Sequence, residues 1–68
     1  MIEFKLTEEF ITLQNLLKFE NLASSGGEAK HLIISGLVSV NGETETRRGK
    51  KLRKGDTVTI GKEKIVMI

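Results

Sequence analysis

The chain has 68 residues, a formal net charge of +2, no Cys and no Pro, and its aromatic residues are three Phe. A chain of this length buries only about 60% of the surface that its unfolded form exposes, which leaves little room for a deep catalytic cleft. The lack of Cys excludes a disulfide framework and a thiolate zinc site, and no apolar run approaches the ~20 residues of a membrane span.

The N-terminal part predicts a strand followed by a helix. Residues 2–6 alternate apolar and polar side chains with period two, as a half-buried strand does. Thr12 can then cap a helix that ends near Asn21, because its hydroxyl can accept from an otherwise unpaired backbone N–H. The buried stripe of this first helix is expected to consist of Leu13, Leu16 and Leu17.

The next stretch predicts a second helix over residues 26–35. Ser25 followed by Glu28 is a capping box, in which each side chain accepts from the other residue's backbone N–H. Gly36 follows the last turn, where a left-handed C-terminal cap belongs. We expect one face of this helix to pack on the first helix, and that face consists of Ala29, Leu32 and Ile33.

The C-terminal half predicts four short strands joined by tight turns. Asn41-Gly42 is the strongest short-range hairpin signal, because both central residues of a type I′ turn need a positive φ. The Gly-Asp pair at 55–56 and the Gly-Lys pair at 61–62 are further turn signals. The fold class is therefore α+β, with a helical hairpin packed on a small, mainly antiparallel sheet. The four predicted strands are 37–40, 43–47, 57–60 and 64–68.

Residues 47–54, called here the basic segment, hold six of the eleven basic residues. The chain has eight basic and four acidic residues in 35–68 but three and five in 1–34, so its positive field is local and suits a polyanion. A charge run is more often a solvated face, yet this one follows a fixed hairpin and is interrupted by Gly49. The candidate contacts are Arg47, Arg48, Lys50, Lys51, Arg53 and Lys54, extended by Lys30 and His31 on the exposed side of the second helix.

Enzyme and metal motifs are nearly absent, so we expect no catalytic residue, cofactor or metal. His31 is the only histidine, and Ser25 lacks the surroundings of a catalytic triad. Gly26-Gly27 lacks the Lys-Ser/Thr of a phosphate loop. The helix start at Ser25, Gly26 and Gly27 could still contact a phosphate, although two glycines also suit a simple tight turn.

The aromatic content favours recognition of backbone and shape. With three Phe and no Tyr or Trp, base-stacking platforms are not expected, and Phe4, Phe10 and Phe19 are interpreted as core or helix-packing residues. Structured RNA fits such recognition, because its deep major groove is closed to side chains and its phosphates and 2′-hydroxyls carry the contacts.

A known pattern joins two stretches of the chain, LASSGGEAKHLIISGLVSVNG and, after the basic segment, LRKGDTVTI. Together they resemble the S4 RNA-binding domain, which carries the αL motif. In that family a leucine-bearing helix precedes a Ser that caps a second helix, and Gly-x-Val-x-Val-Asn-Gly leads to a Gly-Asp turn. The resemblance covers about residues 11–60, through Leu13, Leu17, Leu22, Ser25, Ala29, Leu32, Ile33, Gly36, Val38, Val40, Asn41, Gly42, Gly55, Asp56 and Val58.

The resemblance implies a function, and this chain departs from the family pattern at several positions. It is closest in type to small stand-alone bacterial members, the YaaA/YbcJ-like proteins, which implies structured RNA, ribosomal RNA or a ribosomal particle as the partner in ribosome assembly or association. Family members commonly carry Arg at the opening of the first helix and after the capping Ser, where this chain has Thr12 and Gly26, and a basic residue at the position of Ile34. Lys30 matches the family's basic position, and the basic segment is expected to compensate for the others.

The expected function is therefore non-catalytic RNA binding in a bacterial cytoplasm. The acidic, alternating N-terminus is unlike a signal peptide, and no small-molecule substrate or membrane partner is expected. Asn41 and Gly42 would shape the hairpin that directs the basic segment. The alternative is a protein–protein docking module without nucleic-acid binding, because a fold does not determine a function.

Overall fold

The computed structural model describes residues 1–68 as two helices and seven short strands. In chain order they are β1 Ile2–Phe4, β2 Ile11–Thr12, α1 Leu13–Phe19, α2 Gly26–Ile34, β3 Val38–Val40, β4 Glu43–Thr44, β5 Lys51–Leu52, β6 Thr57–Ile60 and β7 Glu63–Met67. Neither helix is both long enough and apolar enough to cross a membrane.

Five strands form the main sheet, in the order β1-β7-β6-β3-β4. Only the β1–β7 pair is parallel, with Ile2 opposite Ile65, and the other pairs are antiparallel. A second, two-stranded sheet joins β2 to β5, with Ile11 opposite Leu52. The two helices pack on the sheet, which confirms the predicted α+β fold with its mainly antiparallel sheet.

One apolar cluster joins the helices to both sheets. The predicted leucine stripe of α1 is completely buried, and so are Ala29 and Ile33 of α2, whereas Leu32 lies half-buried at the margin of the cluster. No polar or charged residue is buried. Removing this apolar surface from water is what holds so short a chain together. The cluster consists of Leu13, Leu16, Leu17, Ala23, Ala29, Ile33, Val38, Val40, Leu52, Val58, Ile65 and Met67.

The helix ends follow the sequence signals with one exception. Thr12 caps α1 by accepting from the Asn15 N–H (3.4 Å), and the Ser25 hydroxyl accepts from the Glu28 N–H (3.2 Å) at the start of α2. The other half of the predicted capping box is wrong, because the Glu28 carboxylate accepts from the N–H of Ser24 (2.9 Å) and not from that of Ser25. Gly36 takes φ +80°, as its left-handed cap position requires.

The predicted Asn-Gly hairpin is confirmed. Asn41 (φ +53°) and Gly42 (φ +87°) both take the positive φ of a type I′ turn, and Val40 pairs with Glu43 across it. The returning strand is shorter than predicted, since it ends at Thr44. After Glu45, whose N–H still donates to the Val38 carbonyl (2.9 Å), the chain leaves the main sheet.

Two strands were absent from the prediction. β2 and β5 have two residues each, which is too short for an alternation of apolar and polar side chains to be recognised in the sequence. Their consequence is large, because β5 lies inside the basic segment and fixes it beside the start of α1. The N-terminal strand was predicted too long and ends at Phe4, although the Leu6 N–H donates to the Ile68 carbonyl (2.8 Å) beyond it.

Candidate nucleic-acid interface

The basic segment is bonded to its surroundings at its beginning, and the bond involves its first arginine. The Glu45 carboxylate accepts from the Arg47 backbone N–H (3.1 Å), from Nε (2.9 Å) and from one terminal guanidinium nitrogen (3.2 Å). The Arg47 guanidinium lowers the pKa of Glu45, and the carboxylate in turn raises the pKa of Arg47. The Glu45 carboxylate therefore neutralises part of the positive charge that Arg47 would otherwise present to an anion.

The middle of the segment is bonded to the start of α1. The Leu13 N–H donates to the Lys50 carbonyl (2.9 Å) and the Gln14 N–H donates to the Arg48 carbonyl (3.0 Å). The first N–H groups of a helix have no partner within the helix, so these carbonyls satisfy donors that would otherwise need water. Helix and segment thus fix each other, and the β2–β5 pairing continues the contact as far as Leu52.

The end of the segment is fixed by Asp56. Its carboxylate accepts from the Arg53 N–H (2.8 Å) and from the Asn41 side-chain amide (3.0 Å). The Arg53 N–H is the main cause that lowers the pKa of Asp56, with burial opposing it and the Asn41 amide adding to it. The side-chain oxygen Oδ1 of Asn41 also accepts from the Thr57 N–H (2.9 Å). The residue predicted to shape the hairpin therefore also ties the hairpin to the end of the basic segment.

Cations cover the outer side of this fixed backbone. Of the six, only Arg47 forms an ion pair with a carboxylate, and all except the half-buried Lys50 are exposed. Leu52, between them, is completely buried and anchors the strand from beneath. A shallow depression of about 400 Å³ has no hydrophobic residue in its lining, which suits an anionic group such as a phosphate. Its lining residues are Arg47, Gly49, Lys50, Lys51 and Arg53.

The start of α2 lies next to the basic segment through Gln14. A Cβ on Gly26 would lie 2.8 Å from the Gln14 side-chain nitrogen, so the missing side chain makes room for Gln14. The first intrahelical bond of α2 runs from the Ala29 N–H to the Ser25 carbonyl (3.0 Å), which leaves the amides of Gly26 and Gly27 ahead of it. Phosphate contact at this helix start stays a prediction, and the structure adds a packing reason for Gly26.

Lys30 and His31 are exposed on α2, one turn after the two glycines and on the same side of the helix. No hydrogen bond or ion pair joins either side chain to the basic segment, so their part in the interface stays a prediction. No group of three or more His, Cys, Asp or Glu side chains lies close enough together to hold a metal ion.

Phe10 lies against the basic segment and was missed as a site residue. Its ring centroid is 4.9 Å from Lys51 Nζ and 5.9 Å from Arg53 Cζ, and 37% of the residue is exposed. Phe19 of α1 is 68% exposed and packs edge to face on Phe4. Neither Phe10 nor Phe19 is therefore a core residue, whereas the contact of Phe19 with Phe4 fits the helix-packing alternative. Adjacent residues of an extended chain face opposite sides, so in the apolar pair Phe10-Ile11 only one side chain can face the core. The sequence thus carried a signal that one of the two is exposed.

Comparison with known proteins decides the family. A family model described as the S4 domain matches residues 4–68. The chain belongs to the S4 domain family. This S4 domain is 46% identical over 52 residues to the "Probable ribosome maturation protein RlbA" of Bacillus subtilis, a match that covers 76% of this chain and 73% of that protein. It is 36% identical over 58 residues to the "Putative RNA-binding protein YbcJ" of Escherichia coli, with 85% of this chain and 83% of that protein covered.

A solved structure extends the likeness to the fold. The solution structure of YbcJ from Escherichia coli, described as revealing an αL motif involved in RNA-binding, matches with a TM-score of 0.73 and 34% identity. The match covers all of this S4 domain and 87% of that chain. The family and the αL fold that the sequence motifs predicted are both confirmed.

Proposed function

We propose that this S4 domain binds structured RNA, without catalysing a reaction, through the basic segment and the first turn of α2. The observation that carries the proposal is a run of exposed cations on a backbone bonded at three separate places. Arg suits bidentate contact with phosphate and Lys supplies a point charge. Because the backbone is already ordered, binding costs less conformational entropy than it would for a free loop.

The finer part of the proposal names the RNA. We propose ribosomal RNA or a ribosomal particle in the cytoplasm, with Lys30 and His31 extending the contact along α2. Support comes from the names of two relatives, one a probable ribosome maturation protein and the other a putative RNA-binding protein.

The salt dependence of RNA affinity tests the proposal. About five phosphate contacts imply that the logarithm of affinity falls against the logarithm of salt concentration with a slope near −4. Neutralising four exposed cations of the basic segment should flatten that slope by about 3. Fluorescence anisotropy with a folded ribosomal RNA fragment measures it. The variant replaces Arg48, Lys51, Arg53 and Lys54 with Gln.

A matched control removes the same charge elsewhere. Replacing four exposed lysines outside the segment with Gln keeps the net charge equal to that of the test variant, and the slope should stay near its original value. Equal flattening in both variants would contradict the proposed location. Proteins captured from a lysate that survive nuclease treatment, with no RNA retained, would favour the docking alternative. The control lysines are Lys5, Lys18, Lys62 and Lys64.

A further inference from the structure

Phe10 and two cations of the basic segment form one continuous surface. Lys51 and Arg53 are two residues apart on an extended chain, so their side chains point to the same side, and Leu52 between them points into the core. Both cationic groups lie over the Phe10 ring at cation–π distances, 4.9 Å and 5.9 Å from its centroid. A partly exposed aromatic ring is thus held beside the proposed phosphate contacts.

The core does not require this ring. Phe10 lies outside the buried cluster, whereas the next residue, Ile11, packs against it. The ring also borders a second depression, of about 540 Å³, which is lined by Glu8, Glu9 and Thr12 among others. Carboxylates on that side repel a phosphate, while Lys51 and Arg53 on the other side attract one. A nucleotide at this surface would therefore direct its phosphate to the basic segment and its neutral base to the ring.

We infer that one unpaired nucleotide of the RNA binds here, with its base stacked on the Phe10 ring from the side of the second depression and its phosphate at Lys51 and Arg53. The inference rests on the proposed function and specifies its ligand as folded RNA with a bulged or looped-out nucleotide. Unstacked bases in loops and bulges are the parts of RNA that aromatic rings and guanidinium planes recognise. Every base has a π face, so the site accepts a base without selecting its identity.

A pair of RNA hairpins tests the inference, one with a single bulged nucleotide and one with an abasic site at the same position. Phe10→Leu should weaken binding of the bulged hairpin roughly 5- to 150-fold, the range for one base stacked on an aromatic ring, and should leave the abasic hairpin nearly unchanged. Phe19→Leu is the matched control, because Phe19 is more exposed and has no cation against its ring. That variant should bind both hairpins as the original chain does.

A second readout works without any variant of the protein. A bulged 5-iodouridine, irradiated in the complex, should crosslink to the peptide that contains Phe10, because the base and the ring are in contact. If Phe10→Leu fails to fold, this crosslink and the affinity difference between the two hairpins still decide the question. Phe10→Trp, which keeps a stacking surface, should bind the bulged hairpin at least as well as the original chain.

Two outcomes would overturn the inference, and they differ in what they leave standing. Equal losses on both hairpins would mean that the ring only positions Lys51 and Arg53, and a steep salt slope would then leave the proposed function intact. If the original chain bound neither hairpin even at low salt, the proposed function would be lost together with the inference.

Discussion

The two parts of the candidate interface are built in different ways. The middle of the basic segment is fixed by residues distant in sequence, Leu13 and Gln14. Its end is held by the nearby Asp56, which is itself bonded to the distant Asn41. The first turn of α2 is fixed by its neighbours, since Ser25 accepts from Glu28 and Glu28 accepts from Ser24. The order of the basic segment therefore depends on the whole fold, whereas the order of the helix start is mainly local.

This difference determines how substitutions in each part should change stability and RNA affinity. Loss of one long-range bond in the basic segment should affect both the stability of the fold and the affinity for RNA, because the same bonds serve both. Loss of a capping bond at α2 should shift stability slightly and leave the basic segment in position. Four expected outcomes address this contrast, and they are given in order of decreasing effect.

The largest effect is expected for Asp56→Ala. The substitution removes the acceptor for the Arg53 N–H and the Asn41 amide, and a hydrogen bond to a charged group contributes about 1.5–3 kcal/mol. We expect a loss of roughly 2 kcal/mol in urea unfolding and weaker RNA binding. Glu28→Ala, which removes a carboxylate that accepts from Ser24, is the matched change at α2 and should cost no more than about 1 kcal/mol. Similar losses in both variants would remove the contrast.

Acid should weaken the anchor at Asp56. Its pKa in the folded chain is lowered by the Arg53 N–H, below the value of about 3.9 for an exposed Asp. Between those two values the unfolded chain binds more protons than the folded chain, so a fall in pH favours unfolding. The stability contributed by ionised Asp56 should be complete above about pH 5 and decline below about pH 4.

Comparison with Asp56→Asn over the same pH range isolates this residue. The difference in free energy of unfolding between the original chain and the variant should shrink as the pH falls, because both then carry a neutral side chain at position 56. A difference that stays constant down to the lowest accessible pH would show that ionisation of Asp56 does not stabilise the fold.

The two glycines of α2 should differ by about 1 kcal/mol. Ala favours a helix over Gly by roughly 0.5–1 kcal/mol. Gly27→Ala should gain this because, outside the helix backbone and the adjacent residues, the new Cβ would meet nothing closer than the Ser25 hydroxyl at 3.9 Å. At Gly26 the new Cβ would lie 2.8 Å from the Gln14 side-chain nitrogen. Gly26→Ala must displace that side chain, so the variant should not show the gain in stability. Thermal unfolding measures both, and equal midpoints would mean that Gln14 moves freely.

The smallest change in stability is expected for Glu45→Gln. The ion pair lies at the surface, with the Arg47 side chain 73% exposed and the Glu45 side chain 13% exposed. A surface pair contributes about 0–1 kcal/mol, and the substituted Gln side chain keeps an oxygen as acceptor, so the free energy of unfolding should change little. Arg47 would then be free for phosphate, and the salt slope of RNA binding should steepen by about 1. Glu43→Gln makes the same charge change at an exposed carboxylate that has no ion pair, and it should alter affinity without the added slope.

Local signals in the sequence were sufficient for much of the fold. Caps at Thr12 and Ser25, the positive φ at Asn41 and the leucine stripe each depend on residues close in the chain, and each was predicted. β2 and β5 were not, because Ile11 and Leu52 pair only after distant parts of the chain have come together.

The candidate site divides in the same way. The positions of the cations can be read directly from the sequence, whereas the bonds that order them cannot. The pairing of Arg47 with Glu45 depends on where the chain leaves the main sheet, and the contact of Phe10 with Lys51 depends on the β2–β5 pairing. Exposure of Phe10 was misjudged because an apolar side chain is buried more often than not.

The Asn41 amide has a consequence for the ageing of the protein. Asn followed by Gly is prone to deamidation, in which the backbone nitrogen of the Gly attacks the side chain and a carboxylate results. Here the bonds to Asp56 and Thr57 hold the amide in place while the chain is folded. Once deamidated, residue 41 would set a second negative charge against Asp56, where 3.0 Å now separates donor from acceptor. Stored samples should therefore lose RNA affinity in step with the mass gain that marks this reaction.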